Sequence, residues 1–549
     1  MGKLLTFFKR VGRYWNTIRY LRLIQITERI TRKFKRIHVD LSVHMGINHP
    51  NSHWIMPATR HQRMMNEQTF CFLNESHEVL SQSDWNNERW EKLWLYNLHY
   101  FDDLNSFDAK NRVTWHRKII NRWIMENPVA QGNGWEPYPS SLRIVNWIKW
   151  SLVGNELDDQ WKHSLVIQVR FLSKNLETHI LGNHLFTNAK SLVFAGVFFN
   201  GEEAENWYHL GSDILEKELP EQILADGGNF ELSPMYHAII LEDLLDIINL
   251  HRAFGRSVSP QIESVIPKMI DWLIAMCHPD GEISFFNDAA IAVTPSVSEL
   301  INYAEQLGYR ASFEQTDLLE FNDTGYSRVS QKDVVAIIDH AMIGPDYLPS
   351  HAHADTLSFE LSLFGKRVIV NSGTSMYGKG VERQRQRGTA AHSTVVIDEH
   401  NSSDVWGGFR VAKRAKAFGY EAKKSAHNIR LSAYHDGYKH LSGKIIHGRE
   451  WCFTDNLLEI NDKMTGSGKH KIEVVFCLHP DIKIMAVNKQ QVTLDVAGNS
   501  VELTFIGKGF LTLLNSTYHP EFGLAIENDQ LIYQFNGDIP VDIKTRIQW

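Results

Sequence analysis

The 549 residues include only four cysteines, Cys71, Cys277, Cys452 and Cys477, scattered and without a C-x-x-C pair. That spacing argues against a disulfide framework and against a thiolate zinc site. Cys452 and Cys477 could pair only if one sheet brought them together. No stretch approaches the ~20 apolar residues of a membrane-spanning helix. The opening run LLTFF is broken at once by Lys9 and Arg10, too short for the core of a secretory signal. The expected place is therefore the cytoplasm or the inner face of the membrane. No repeat of fixed period is visible, which argues against a regular solenoid.

Negative charge is almost missing from the start of the chain. Residues 1–37 hold 11 Lys/Arg against a single Glu, so the rest carries −17 against a total of −7. A basic, amphipathic segment over 1–40 fits peripheral contact with a membrane surface or an anionic polymer, and fits equally a solvated helix packed on the main domain. No nucleic-acid partner is expected. Aromatic residues are plentiful, with 16 Trp. Most should be core, though flat rings also stack on sugar faces.

From about 84 to 310 the apolar period is helical, as in Trp90, Leu93, Trp94 and Leu98, and about seven helices follow one another without strands. That succession suggests an α-toroid or a bundle. Past about 325 the period becomes two. Leu357, Phe359, Leu361 and Leu363 alternate with Ser358, Glu360 and Ser362, and many short strands follow with turn residues between them. The expected fold is multidomain, α then β, with a helical domain over 41–325 and an antiparallel β-sandwich over 326–549.

Four stretches hold polar groups that packing alone does not need. In GNHLFTNAK, Asn183 and His184 sit just ahead of a helix, with Asn188 one turn beyond His184; helix capping is the structural alternative. In DGGNFELSPMYHA, two glycines and a proline enclose Glu231, Tyr236 and His237. In SHAHADTLSF, His351, His353 and Asp355 alternate, so an extended segment points all three to one side, where they could bind a metal or share a proton. In RQRQRGTAAHSTVVIDE, Arg383, Arg385 and Arg387 precede His392; the segment reads as an anion clamp or as a solvated basic loop. A fifth stretch, GNGWEPYPSSLRIVNW, offers Trp135, Tyr138, Arg143 and Asn146 as a groove wall.

In this order, WLYNLHYF, NGWEPYPSSLRIVNW, GNHLFTNAKSL, GNFELSPMYH, HAHADTLSFEL and AAHSTVVIDE resemble the heparinase II/III-like polysaccharide lyases, which include alginate and heparin-sulfate lyases. The resemblance implies an incomplete (α/α) toroid followed by an antiparallel β-sandwich. It also implies β-elimination on a uronic-acid-containing anionic glycan, a reaction that requires no cofactor. Asn183, His184, Tyr236 and His351 match the catalytic set. Asn183 would meet the substrate carboxylate, Tyr236 would protonate the leaving oxygen and could also take the C5 proton, and His184 or His351 would serve as the alternative base. Trp135, Tyr138, Arg143, Asn146, Asn188, Glu231, Arg385 and Arg387 would bind substrate. Arg385 or Arg387, with a charged His, would lower the Tyr236 pKa. The family's zinc positions correspond to His353, Asn371 and His392; an Asp commonly stands where this chain has Asn371, which predicts a weaker structural zinc site. Such lyases usually act in the periplasm or outside the cell, whereas the basic start suggests a member tied to bacterial surface-polysaccharide production. The competing readings are a glycan-binding or assembly protein, and a glycoside hydrolase using Asp226 and Glu231.

Overall fold

The computed structural model describes residues 2–41, 45–312 and 316–549, with side chains from Arg10 onward. Two short helices, α1 (Gly2–Ile18) and α2 (Leu23–Thr31), come first. A small hairpin, Thr69–Phe72 with Glu75–Glu78, precedes the helical domain. That domain holds nine α-helices among the described residues, from Lys92–Tyr100 to Val297–Gln306. Lys92–Tyr100, Pro137–Leu152, Gly182–Phe198, Pro234–Ala253 and Val297–Gln306, every second helix, pack one against the next around a core rich in tryptophan, in which Trp85, Trp94, Trp123, Trp147, Trp150 and Trp161 are fully buried. Most of the tryptophan content is thus accounted for by packing, since large rings bury the most apolar area per residue.

The first strand of the large sheet begins at Leu318, twelve residues after the last helix of the toroid ends at Gln306, so the change of texture falls slightly earlier than 325. Among the described residues every strand-to-strand ladder of the β region is antiparallel, the isolated Gly373–His519 bridge being parallel. Its two long strands, Leu457–Leu478 and Ile526–Gln548, run side by side, with a register shift between Met464 and Gly468. The first half of Leu457–Leu478 pairs with Ile446–Thr454 and its second half with Val395–Ile397, so one strand serves two parts of the sheet. In its first half Leu458, Ile460 and Met464 point inward with polar residues between them; in its second half Ile472, Val474 and Phe476 face the sheet core while Val475 and Cys477 join the core of the helical domain. All four cysteines are free; Cys452 lies opposite Glu459, and Cys477 opposite Gln530 and Val370.

Strand Phe359–Leu363 is buried on both faces. Its leucines face the sheet core, while its polar face meets the helical domain. His278 Nε2 lies 2.7 Å from Glu360 Oε2, His278 Nδ1 lies 2.7 Å from Ser362 Oγ, and Glu360 also accepts from the backbone of Phe285 and Asn371. These buried bonds lock the two domains together, because leaving any one of these groups unpaired would cost about 1–3 kcal/mol.

Candidate active site

The site lies where the two domains meet. Helix Gly182–Phe198 begins with Gly182, Asn183 and His184, so the last two stand in its first turn rather than ahead of it. Gly182 has φ +58, and a Cβ there would come within 2.3 Å of Leu348 and 3.3 Å of Glu231 Oε1; only glycine allows that approach. Helix Pro234–Ala253 is capped by Ser233, whose Oγ accepts the Tyr236 N–H at 3.3 Å, with Pro234 at the first helical position. Tyr236 is therefore held on a rigid helix start, as the ELSP turn suggests.

The loop 351–355 and the Asn287-Asp288 turn complete the arrangement. Asp288 is fully buried and accepts from four side chains: His351 Nδ1 at 2.9 Å, His353 Nε2 at 2.8 Å, Thr374 Oγ1 at 3.3 Å, and the Arg383 guanidinium, whose second nitrogen is 2.6 Å away. These partners overcome the burial penalty and hold its pKa well below the usual carboxylate range. The backbone continues the linkage. Asp288 N–H donates to the His351 carbonyl, Ser233 Oγ–H to the Asp288 carbonyl, and Asn287 Nδ2–H to the Leu232 carbonyl.

Of the four residues that match the catalytic set, Tyr236 and His351 meet directly, and Glu231 links Asn183 to them. The Tyr236 and His351 rings lie 4.0 Å apart. His351 Nε2 is 3.5 Å from Glu231 Oε2, and Glu231 Oε1 accepts from Asn183 Nδ2 at 3.0 Å. The fourth, His184, stands beside Tyr138 with ring centroids 4.5 Å apart, and Tyr138 lies against Tyr100. His184 Nδ1 donates to Glu177 Oε1 at 3.1 Å, and Asn188 holds Glu177 in turn through its side chain and backbone. Burial works against a charged His184, but Glu177 outweighs it and raises the imidazole pKa. Leu181, Leu232 and Asn287 all have positive φ, each within two residues of a site residue. Non-glycine residues in that region cost about 1–3 kcal/mol, a strain often held at functional sites.

Burial pushes the Tyr236 hydroxyl up well above its ordinary value, and Tyr377 and Asp288 add to the shift. The expected lowering by Arg385 or Arg387 does not occur, because neither approaches Tyr236 as a free charge. Arg387 is fully buried and donates to the carbonyls of Ala352 and Gly408. Arg385 is paired with Glu382 and donates to Thr517. Arg383, spent on Asp288, is the guanidinium nearest the site, 5.1 Å from the Tyr377 ring. The basic run is thus structural rather than an anion clamp.

The groove-wall residues divide similarly. Tyr138 lines the site, but Trp135 is buried between Trp123 and Phe171. Arg143 is fully buried, donating to Gln168 and the His99 carbonyl with its guanidinium 3.8 Å from the Trp123 ring. Asn146 secures the turn after helix Lys92–Tyr100 by donating to the Tyr100 carbonyl and Asp102. Sequence reading passed over Asp288, Glu177, Tyr377 and Phe409. Tyr377 shares a 2.8 Å hydroxyl hydrogen bond with Tyr236, and Phe409, partly exposed, lies 5.9 Å from His351. Only Asp288, in the polar break after the apolar FF of ISFFNDAA, gave a local signal.

A possible metal set lies behind His351. One ligand atom each from His353, Asp355 and His392 fall within 4.8 Å of one another, all buried. His353 Nδ1 and His392 Nε2 find no hydrogen-bond partner among the described residues, which fits two imidazoles able to ligate a cation. Asn371 Oδ1 accepts from His392 Nδ1 at 3.1 Å, the kind of contact that orients an imidazole, and Asp355 is the carboxylate beside the two histidines.

Comparison with known proteins follows the same lines. The heparinase II/III N-terminus family matches residues 83–316, and the heparinase II/III-like C-terminal family matches 314–549. A heparin-sulfate lyase of Bacteroides stercoris is 27% identical over 423 residues, 67% of this chain and 60% of that protein. One of Pedobacter heparinus is 26% identical over 256 residues, covering 41% of this chain and 38% of that protein. The chain thus aligns with less than two thirds of the length of these relatives. A crystal structure of heparinase III superposes with a TM-score of 0.67 at 17% identity, over 87% of this chain and 78% of that one. Chondroitin AC lyase of Streptomyces coelicolor gives 0.53 at 11% identity, over 83% and 74%. At those identities the likeness is one of fold, an α toroid followed by a β domain. With both family domains matched in sequence order and this architecture in place, the chain belongs to the heparinase II/III-like family.

Proposed function

We propose that this chain is a polysaccharide lyase that cleaves a uronic-acid-containing anionic glycan by β-elimination. One observation carries the reading: a protonated tyrosine hydroxyl, an oriented imidazole and a buried amide, from three distant segments, share one wall. The C5 hydrogen of a uronic acid becomes removable when the neighbouring carboxylate's charge is offset. The Asn183 amide and the His184 imidazolium offset it. Asp288 accepts the Nδ1–H of His351 and so leaves Nε2 as the base. That nitrogen takes the C5 proton, the electron pair forms the C4–C5 double bond, and the C4–O bond breaks. Tyr236 gives its proton to the departing oxygen, and Tyr377 supports the phenolate left behind. The hydrolase reading loses a partner, since Asp226 accepts from Thr324 and Gly228 and thereby pins a loop. The test is a panel of uronic-acid polysaccharides followed in the near ultraviolet. An unsaturated product is expected, and reducing ends released without that absorbance would indicate hydrolysis.

The His184–Glu177 pair gives a pH dependence. Because Glu177 raises the His184 pKa, the imidazolium persists above the ordinary imidazole range near 6.5 and is lost as pH climbs through the raised value. KM should rise over that alkaline window, and Glu177→Gln should move the rise to lower pH. A KM profile that does not shift in Glu177→Gln would remove His184 from carboxylate binding.

A zinc-like ion fits His353, Asp355 and His392. When bound, it would tie the loop that carries His351 to the sheet. Purified protein should hold about one equivalent by elemental analysis, and a chelator should lower the melting temperature. His392→Ala should abolish both effects; a metal-free chain whose melting is indifferent to added zinc would refute the site.

A further inference from the structure

Helices α1 and α2 dock on the body in an inverted sense. The inward side of α2 is polar. Gln25 is buried and donates from Nε2 to the carbonyls of Ile180 and Tyr347, Arg22 pairs with Glu221, and Arg32 donates to Leu176 and Asn175. The described inward side of α1 is likewise mostly polar: Arg13 pairs with Asp404, Thr17 accepts from Trp406 Nε1 at 3.1 Å, and Tyr14 meets the Trp406 ring edge-on at 5.2 Å. The aliphatic residues and Trp15, among the described side chains, point away. Val11, Trp15 and Ile18, spaced i, i+4, i+7, lie exposed on α1; Leu23, Ile26, Ile30 and Phe34 lie exposed along and just past α2. Phe34 is 81% exposed and Leu23 76%. A helix normally buries its apolar stripe against its own core, and these two do the reverse.

The surroundings of the stripe are cationic. Arg10, Arg19, Lys33, Lys35 and Arg36 are all exposed around it. A second copy of the chain would set this charge against its own like, whereas an anionic lipid surface complements it and takes up the apolar side chains. The rest of the chain, at −17, would be repelled by that surface, so contact is confined to the helix pair.

We propose that α1 and α2 form a membrane-surface anchor, lying in the headgroup region of an anionic bilayer with Trp15, Ile18, Leu23, Ile26, Ile30 and Phe34 inserted. The docking points place the anchor at the site's edge. Ile180 precedes Asn183, Tyr347 precedes His351, and Trp406 precedes Phe409, each by three or four residues. The anchor therefore holds the mouth of the site near the lipid surface, where a membrane-associated glycan would meet it.

Vesicle binding tests this without any substrate, so its outcome is independent of the lyase reading. Full-length protein is sedimented with phosphatidylcholine vesicles containing about one third phosphatidylglycerol, and with phosphatidylcholine alone. Binding to the anionic vesicles is expected, weakened by added salt. Trp15→Glu/Ile30→Glu, both at exposed positions, should lower the affinity at least about tenfold while circular dichroism and turnover of soluble glycan stay unchanged. Failure of the unaltered protein to sediment with anionic vesicles overturns the proposal. So does equal binding by the double variant, or a dimer in solution that the double variant converts to monomer, which would assign the face to a second copy.

Discussion

Tyr236→Phe should lower turnover by about 10²–10⁴-fold while leaving glycan affinity almost unchanged. The substitution removes one oxygen from a side chain that is otherwise held by packing, by the Ser233 cap and by the His351 ring. The lost proton donor acts mainly in the transition state, because an alkoxide is a poor leaving group and the ground-state glycan needs no protonation. Burial keeps the Tyr236 phenol protonated at neutral pH, which favours the acid role and disfavours the resting hydroxyl as base. Rates should be read from the near-ultraviolet absorbance of the unsaturated product and affinity from direct binding to the inactive variant. Near-full turnover in Tyr236→Phe would shift the proton donor to Tyr377, His184 or His351.

The second large effect is expected at Asp288, which never touches substrate in this mechanism. Asp288→Asn keeps the volume but strips the charge that compensates Arg383 and fixes two imidazoles. Leaving a buried guanidinium without its carboxylate typically costs about 3–5 kcal/mol, so the urea midpoint should fall sharply. Turnover should fall as well, since His351 loses the acceptor that selects its tautomer. Adding Arg383→Met to Asp288→Asn should recover part of the stability but not the turnover, because the uncompensated charge is gone while His351 remains unanchored. If Asp288→Asn changed stability by less than about 1 kcal/mol, the Arg383 pair would not carry the weight assigned to it here.

The order of helices before strands was legible because hydrophobic period is a local property: a window of about a dozen residues around RIVNWIKW, or about eight in TLSFELSLFG, suffices to reveal it. The polar motifs around Asn183, Tyr236 and His351 were legible for a similar reason, since glycine, proline and a capping serine announce a rigid chain direction at each. The same logic failed where a residue's meaning depends on what faces it. Arg143, Arg385 and Arg387 read as substrate contacts because arginine is usually solvated, yet carbonyl groups and carboxylates from distant segments use up their donors. Trp135 read as a sugar platform, and three-dimensional packing against Trp123 and Phe171 made it core.

By itself the sequence determined the two textures, the family motifs and the basic amphipathic start, all of which are written in spacing and composition. Only the tertiary structure decided that Asp288 joins His351, His353 and Arg383, that the Asp355 carboxylate lies beside the His353 and His392 imidazoles, and that the exposed apolar residues of α1 and α2 face outward. Each of those depends on contacts between residues far apart in the chain. Side-chain pairing across such separations is fixed by the summed packing of two domains, and no local period encodes it.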